Sequence, residues 1–346
     1  MIGDCIFATR MSWRQCRSRA GALQDGFRDS RFFCRVLKVL RMNNRQTSVP
    51  SGVAAPEQRG SARADQSGRA HQPIQRLLRH LVLLLSVFPV ASLQAETREL
   101  EVAPGIVATA VYQPGRADRA AVLVLHGFLQ TARFPTVNRL AEGLSDEGHT
   151  VLAPTLSLGI TRRRQSQPCE APHLQRLEDD VAEIARWVNW LHSETGQAVV
   201  LVGHSSGGHA ITRYLHEHPQ APVERVLLIS LGYPRGHPVS PEPPQAKSLG
   251  IYSLDFCQSY PTTPEAFHSY IGWGPQQILQ ALQQARMPVY VIFGSMDKRL
   301  SPDWFKAVSD SDISIEIVAG ADHFFDSTHE FDLLETAIRL MPKNQR

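Results

Sequence analysis

The chain has 346 residues, of which 42% are hydrophobic, 20% charged and 8% aromatic. That composition excludes a collagen, a coiled coil, a disulfide-dense mini-protein and a wholly disordered chain, and it leaves room for one large α/β domain or two small ones. The net charge of +3 is unevenly spread: residues 1–95 carry 15 Lys/Arg against 5 Asp/Glu, so residues 96–346 carry the other 21 against 28, a net of −7. The main part of the chain is therefore mildly acidic, which argues against a nucleic-acid partner.

Residues 1–75 show no sustained hydrophobic period, and Arg, Ser, Gly and Gln dominate from Arg41 to Arg69. Such a segment cannot bury enough apolar surface to offset its chain entropy, so it reads as a disordered or non-native leader; Met42 opens a shorter reading frame. Residues 76–95 read as a signal peptide: a basic flank Arg76-Leu77-Leu78-Arg79, an apolar run Leu81–Val90, and the small residue Ala95. The run falls short of the ~20 residues a membrane span requires and is interrupted by Pro89, so no stable span is expected in the mature chain. An uncleaved anchor or a core helix is the alternative. A cleaved signal leaves residues 96–346 in an oxidising compartment, periplasmic or secreted, with Cys169 and Cys257 as the remaining cysteines and a candidate disulfide. Two unrelated thiols are the other reading.

Arg98 to Gln113 alternates around Pro104-Gly105 and predicts an antiparallel hairpin. Ala121–Leu125 is a continuous apolar run, as expected of a parallel strand covered on both faces. A helix follows over about Thr136–Glu147, then a strand Thr150–Ala153 stopped by Pro154, a long amphipathic helix His173–Glu194, and a third buried strand Ala198–Val202. A tight glycine-rich turn leads into a helix reaching His218, and Arg225–Leu231 is a fourth buried strand. Residues 233–274 break this rhythm, with five prolines from Tyr233 to Pro244 and seven aromatics from Tyr233 to Trp273. The alternation resumes with a helix Pro275–Ala285, a strand Val289–Phe293, a short helix near Pro302–Val308, a strand Ile313–Val318 and a helix Phe331–Leu340. Strand–helix alternation predicts one doubly wound, mostly parallel sheet with strand C-termini along one edge, and 233–274 as a lid insertion over that edge.

Gly203-His204-Ser205-Ser206-Gly207 lies between a buried strand and a helix, the context in which G-x-S-x-G lifts a serine off a sheet edge. A serine hydroxyl requires a base, and the base a carboxylate to orient it. His323, in Gly320-Ala321-Asp322-His323 after the last strand, fits the base, and Asp297, in Gly294-Ser295-Met296-Asp297, fits the acid. Rivals for these roles are His329 and His204, and Asp255, Asp322 and Asp326. His329 is expected to cap or solvate the last helix, and His204 to point away from the nucleophile. The oxyanion donors are expected to be the backbone N–H groups of Phe128, in His126-Gly127-Phe128-Leu129, and Ser206.

These four motifs resemble those of the α/β-hydrolase superfamily, in particular its esterase, lipase and serine-peptidase-like branches, over about Ala120 to Pro342. The resemblance implies an acyl-enzyme mechanism on Ser205 and no cofactor, and it does not fix the substrate. A small-molecule carboxylic ester is the expected substrate, and no metal is expected. A peptidase or amidase with the same triad, and a non-catalytic binding protein on a hydrolase scaffold, are the rival readings. Arg162-Arg163-Arg164 reads as a solvated loop or as a contact for an anionic substrate or lipid headgroup. His209 and His216 lack an accompanying carboxylate for a metal site. The aromatics of 233–274 are expected to divide between packing on the body and lining the cleft.

Overall fold

A computed structural model describes residues 95–342 apart from 243, 244 and 246. The leader and nearly all of the expected signal peptide lie outside the described residues. Eleven strands and seven helices are described, and none of these helices is long and apolar enough to cross a membrane.

The hairpin β1 (Glu96–Ala103) and β2 (Ile106–Gln113) turns at Gly105, whose φ of 75° is open to glycine without strain. The parallel strands are β3 (Ala121–Leu125), β4 (Thr150–Thr155), β5 (Val199–His204), β6 (Val223–Ile229), β10 (Val289–Gly294) and β11 (Ser314–Val318). They pair in the order β1-β2-β4-β3-β5-β6-β10-β11, antiparallel at β1–β2 and β2–β4 and parallel elsewhere. β3, β4 and β5 are buried at every position, as continuous apolar strands in a two-faced sheet must be.

Helices cover both faces. α1 (Pro135–Asp146) and α7 (His329–Leu340) pack Val137, Leu140, Leu333 and Ala337 against one face, over the strand residues Val122, Val124, Val200 and Val202. α2 (Leu177–Thr195), α3 (Ser206–Glu217), α5 (Pro275–Gln283) and α6 (Pro302–Ser309) pack Ile184, Trp187, Tyr214, Ile278 and Trp304 against the other, over Leu123, Leu125, Leu201 and Leu228.

Two boundaries differ from expectation for physical reasons. β4 continues through Pro154, which stands opposite Ala110 of β2, whereas the pairing of β4 with β3 ends at Leu152. A proline removes only the amide donor, so a strand can pass through it where the ladder does not require that donor. α2 starts at Leu177 rather than His173, because His173 donates its N–H to Pro261 O at 2.8 Å and is held in an extended bridge to Thr262.

The segment between β6 and β10 forms its own small antiparallel sheet, β7 (Gly236–Pro238), β8 (Gly250–Leu254) and β9 (Cys257–Thr262), followed by α4 (Pro264–Ile271). Its apolar centre is Tyr252, Leu254, Cys257, Tyr260 and Phe267, with Leu129 of the body. Cys169 and Cys257 are joined by a disulfide with Cα atoms 5.4 Å apart, tying the insertion to the loop after β4.

Candidate active site

The parallel register sets the site. Leu125 of β3 is level with Gly203 of β5, His204 with Ile229 of β6, Ile229 with Ile292 of β10, and Gly294 with Val318 of β11. Each strand therefore ends at one edge, and the loops that follow bring Phe128, Ser205, Asp297 and His323 together there.

Ser205 joins β5 to α3 with φ 52° and ψ −120°, a strained conformation for a residue bearing a side chain. Its N–H is held by Ile229 O at 2.8 Å. The flanking glycines are required by close approach: a Cβ on Gly203 would stand 2.7 Å from Gly208 N, and one on Gly207 would stand 2.5 Å from His126 O. The turn thus presents the Ser205 hydroxyl, 3.0 Å from His323 Nε2, while His323 Nδ1 lies 2.8 Å from Asp297 Oδ2. Among the rivals, His329 pairs with Asp332 on α7, Asp322 accepts the Phe324 N–H in its own turn, and neither contacts Ser205.

Asp297 has a fully enclosed side chain, and it accepts the Arg299 N–H at 3.0 Å. Burial works to raise its carboxyl. The hydrogen bond and charge of His323, with the Arg299 N–H, outweigh burial and hold the carboxyl below its ordinary value, so Asp297 is ionised at neutral pH. The His323 ring is mostly enclosed, which fits a base whose neighbours fix its orientation.

Phe128 and Ser206 both line the cavity that contains Ser205 and His323. Ser206 is the first residue of α3, where an N–H has no acceptor within the helix and the helix dipole favours an anion. The Phe128 loop is braced from behind by His126, whose Nδ1–H donates to Gly127 O at 2.9 Å while its Nε2 accepts from Leu156 N at 3.0 Å. Burial pushes the His126 imidazole down to about 3, so it stays neutral and keeps that tautomer.

Arg163 supplies a second brace. It is buried, and its guanidinium donates to Leu156 O, Gln165 O and Gln130 O at 2.7, 2.9 and 2.6 Å. Arg162 pairs with Glu99 on the surface. The arginine run is therefore neither a uniformly solvated loop nor a contact to the cavity. Its middle member anchors the Phe128 loop, a role that only tertiary burial reveals. His204 makes no hydrogen bond to Ser205 and takes a supporting place: its Nε2–H donates to His323 O at 2.9 Å and its ring packs against His323, so it buttresses the loop bearing His323. Burial lowers His204 to about 4, which keeps it a neutral donor. Sequence adjacency to Ser205 and Gly127 is the signal that could have singled out His204 and His126.

The cavity above Ser205 has a volume of about 480 Å³. The insertion contributes Tyr233, Arg235, Asp255 and Phe256 to its wall, and the loop after β10 contributes Lys298 and Arg299. Of the insertion aromatics from Tyr252 to Trp273, Phe256 alone reaches this wall. Tyr252 and Phe267 stack in the insertion's own centre, and Tyr260 and Tyr270 border a separate cavity of about 30 Å³ behind Ser206. The wall is accordingly more charged than the aromatic content of the sequence leads one to expect.

A match to the model of the alpha/beta hydrolase family spans residues 122–333. A search of curated protein sequences returns no match. Among solved structures, the fold is similar to Est1E from Butyrivibrio proteoclasticus, at 12% identity, 70% of this chain, 96% of that chain and a TM-score of 0.54. It is also similar to DcsB in complex with its substrate analogue, at 13% identity, 73% and 100% coverage and a TM-score of 0.53. A dienelactone hydrolase from Anabaena variabilis matches at 16% identity, 73% and 99% coverage and a TM-score of 0.50. At these identities the solved structures speak for the fold alone. The sheet order, the strained turn at Ser205 and the family match over residues 122–333 agree: the chain belongs to the alpha/beta hydrolase family.

Proposed function

We propose that the protein is an exported serine hydrolase that cleaves carboxylic esters through an acyl-enzyme on Ser205. The observation that carries this reading is the continuous chain from Ser205 Oγ through His323 to Asp297 at the floor of an open cavity. Ser205 Oγ attacks the acyl carbon and its proton passes to His323 Nε2. The N–H groups of Phe128 and Ser206 hold the oxyanion. His323 then gives the proton to the departing alkoxide, leaving the acyl group on Ser205. Water attacks that ester, its proton goes to His323 and then to Ser205 Oγ, and the carboxylic acid leaves. Asp297, ionised throughout, keeps the His323 Nδ1–H directed at itself and balances the imidazolium. Export is supported by the disulfide, which persists in oxidising compartments.

A fluorophosphonate probe tests the reading. It is expected to modify Ser205, mapped by peptide mass spectrometry, and Ser205→Ala is expected to abolish both labelling and ester turnover. Labelling of another serine would overturn the assignment. Faster cleavage of an amide than of the ester with the same acyl group would make the enzyme an amidase.

A further inference from the structure

The mature region is acidic in sum, yet the cavity over Ser205 gathers Arg235, Lys298 and Arg299 on its wall. None of the three forms an ion pair among the described residues. Lys298 and Arg299 directly follow Asp297 on the loop after β10, and Arg235, just before β7, lies beside Arg299. Two of the guanidinium groups are held in place. Arg235 donates Nη2 to Arg299 O at 3.2 Å, and Arg299 lies 4.8 Å from the Phe324 ring centre and 5.7 Å from that of Phe256.

The one carboxylate on this wall, Asp255, is occupied by backbone. Its Oδ1 accepts the Arg235 N–H at 3.2 Å, while its own N–H donates to Arg235 O at 2.8 Å. Asp255 sits at the tip of the β8–β9 hairpin with φ 54°, so this reciprocal pair fixes the tip without using the Arg235 guanidinium. Three exposed cations against the engaged Asp255, with Asp297 committed to His323, leave a positive wall beside Ser205.

We propose that Arg235, Lys298 and Arg299 form an anion subsite, and that the preferred substrates are esters carrying a carboxylate or phosphate within reach of Ser205. The inference rests on the hydrolase reading and names the substrate class of that same site. Guanidinium groups suit planar two-oxygen partners, and the nearby ammonium adds a point charge on a flexible stem.

The test compares matched esters on the full protein. On the acyl side, mono-4-nitrophenyl adipate is set against 4-nitrophenyl hexanoate. On the alcohol side, 4-(carboxymethyl)phenyl butyrate is set against its primary amide. The expected result is a ratio of kcat/KM, anionic over neutral, of about tenfold or more in one arm, which identifies the side of the ester that carries the charge. Lys298→Gln, Arg299→Gln and Arg235→Gln are each expected to reduce that ratio by up to about fivefold, the scale of a solvent-exposed ion pair, and raising the ionic strength is expected to reduce it too. The ratio cancels any loss common to both esters. A ratio near or below one in both arms, with neutral esters still hydrolysed, overturns the subsite and spares the hydrolase reading. If no ester is turned over, binding decides. Ser205→Ala protein titrated with N-phenyl adipamate and N-phenylhexanamide is expected to hold the anion about tenfold more tightly, and equal affinity overturns the subsite.

Discussion

The sheet body and the β6–β10 insertion are held together by different physics. In the body, strands buried at every position sandwich their side chains between two helical layers, and stability comes from apolar area removed from water. The insertion has only a small apolar centre of its own; it places Tyr270 in the large core, with Tyr233 and Trp273 against it, and is further fastened to the body by polar and covalent links. Tyr270 donates to Asp180 at 2.7 Å, the Leu177 N–H to Ser269 at 2.9 Å, Trp273 Nε1 to Thr212 at 2.9 Å and His209 Nε2 to Trp273 O at 2.8 Å, and the Cys169–Cys257 disulfide adds the covalent link. The proposed catalytic groups stand on the body, whereas much of the cavity wall over Ser205 stands on the insertion. Chemistry and selectivity are thereby separable, and perturbations of the two regions should read out differently.

The largest expected effect lies in the body. Asp297→Asn preserves the size of the side chain and removes the charge that fixes the His323 tautomer. kcat is expected to fall by up to ~10⁴ while the fold persists, measured as turnover beside circular dichroism. Near-normal activity would transfer the acid role to another carboxylate.

This division also governs what the sequence makes legible. β3, most of β5 and the Val226–Ile229 half of β6 are readable because a strand covered on both faces has to be apolar. Ser205, Asp297 and His323 are readable because each sits just past a strand and near glycines, which close approach demands at Gly203, Gly207 and Gly294 and a φ of 78° at Gly320. The insertion offers no comparable period. Tyr252, Phe256, Tyr260 and Phe267 face three different surroundings, and only the fold decides which. Arg163 and His204 are illegible for the same reason, since their roles depend on carbonyls 33 and 119 residues away. The positive wall stayed hidden because Arg235 and Arg299 are 64 residues apart.

Removing the covalent link probes the insertion. Cys169→Ser with Cys257→Ser opens a closure across 88 residues and is expected to lower unfolding stability by about 2–4 kcal/mol. Because Cys257 follows the Asp255–Phe256 tip, kcat/KM for the preferred ester is expected to fall, while a small fluorophosphonate still labels Ser205 on the body. Loss of labelling would show that the insertion holds the catalytic groups themselves.

The joint between the regions should titrate. Asp180, on α2, accepts from Tyr270 and from Gln175, with Glu183 one turn along the helix. Burial raises its carboxyl to about 7, against the pull of the Tyr270 and Gln175 hydrogen bonds. The unfolded value is near 4, so the folded state holds this proton more tightly. Its contribution is fully present below about pH 4 and is lost as pH rises toward 7. Asp180→Asn keeps an acceptor for Tyr270 and is expected to remove this dependence, which is on the order of 3 kcal/mol across that interval. Denaturant midpoints at pH 4 to 8 measure it, and parallel curves for wild type and variant would show that Asp180 is ionised in the folded protein.

The smallest expected effect discriminates most finely, because the two regions contain matched helices. α4 in the insertion and α6 in the body each have eight residues and a proline in the first turn, and each has a cap whose hydroxyl accepts a backbone N–H three residues on at 3.2 Å: Thr263 from Ala266, and Ser301 from Trp304. Thr263→Ala and Ser301→Ala each remove about 1 kcal/mol of local helix stability. Trp304 of α6 is buried in the large core and donates to Leu231 O at 2.7 Å, so α6 opens only with the body. Ser301→Ala is therefore expected to lower the thermal midpoint by about 2–4 °C, the scale for a domain of this size. α4 packs Phe267 into the small insertion centre and sends only Tyr270, in its last turn, into the large core. Thr263→Ala is expected to leave the global midpoint nearly unchanged and to speed hydrogen exchange of the α4 and β8–β9 amides about fivefold, as a local opening 1 kcal/mol easier requires. Equal midpoint shifts for the two variants, without selective exchange in the insertion, would show one cooperative unit and erase the distinction between a body held by apolar layers and an insertion held by discrete links.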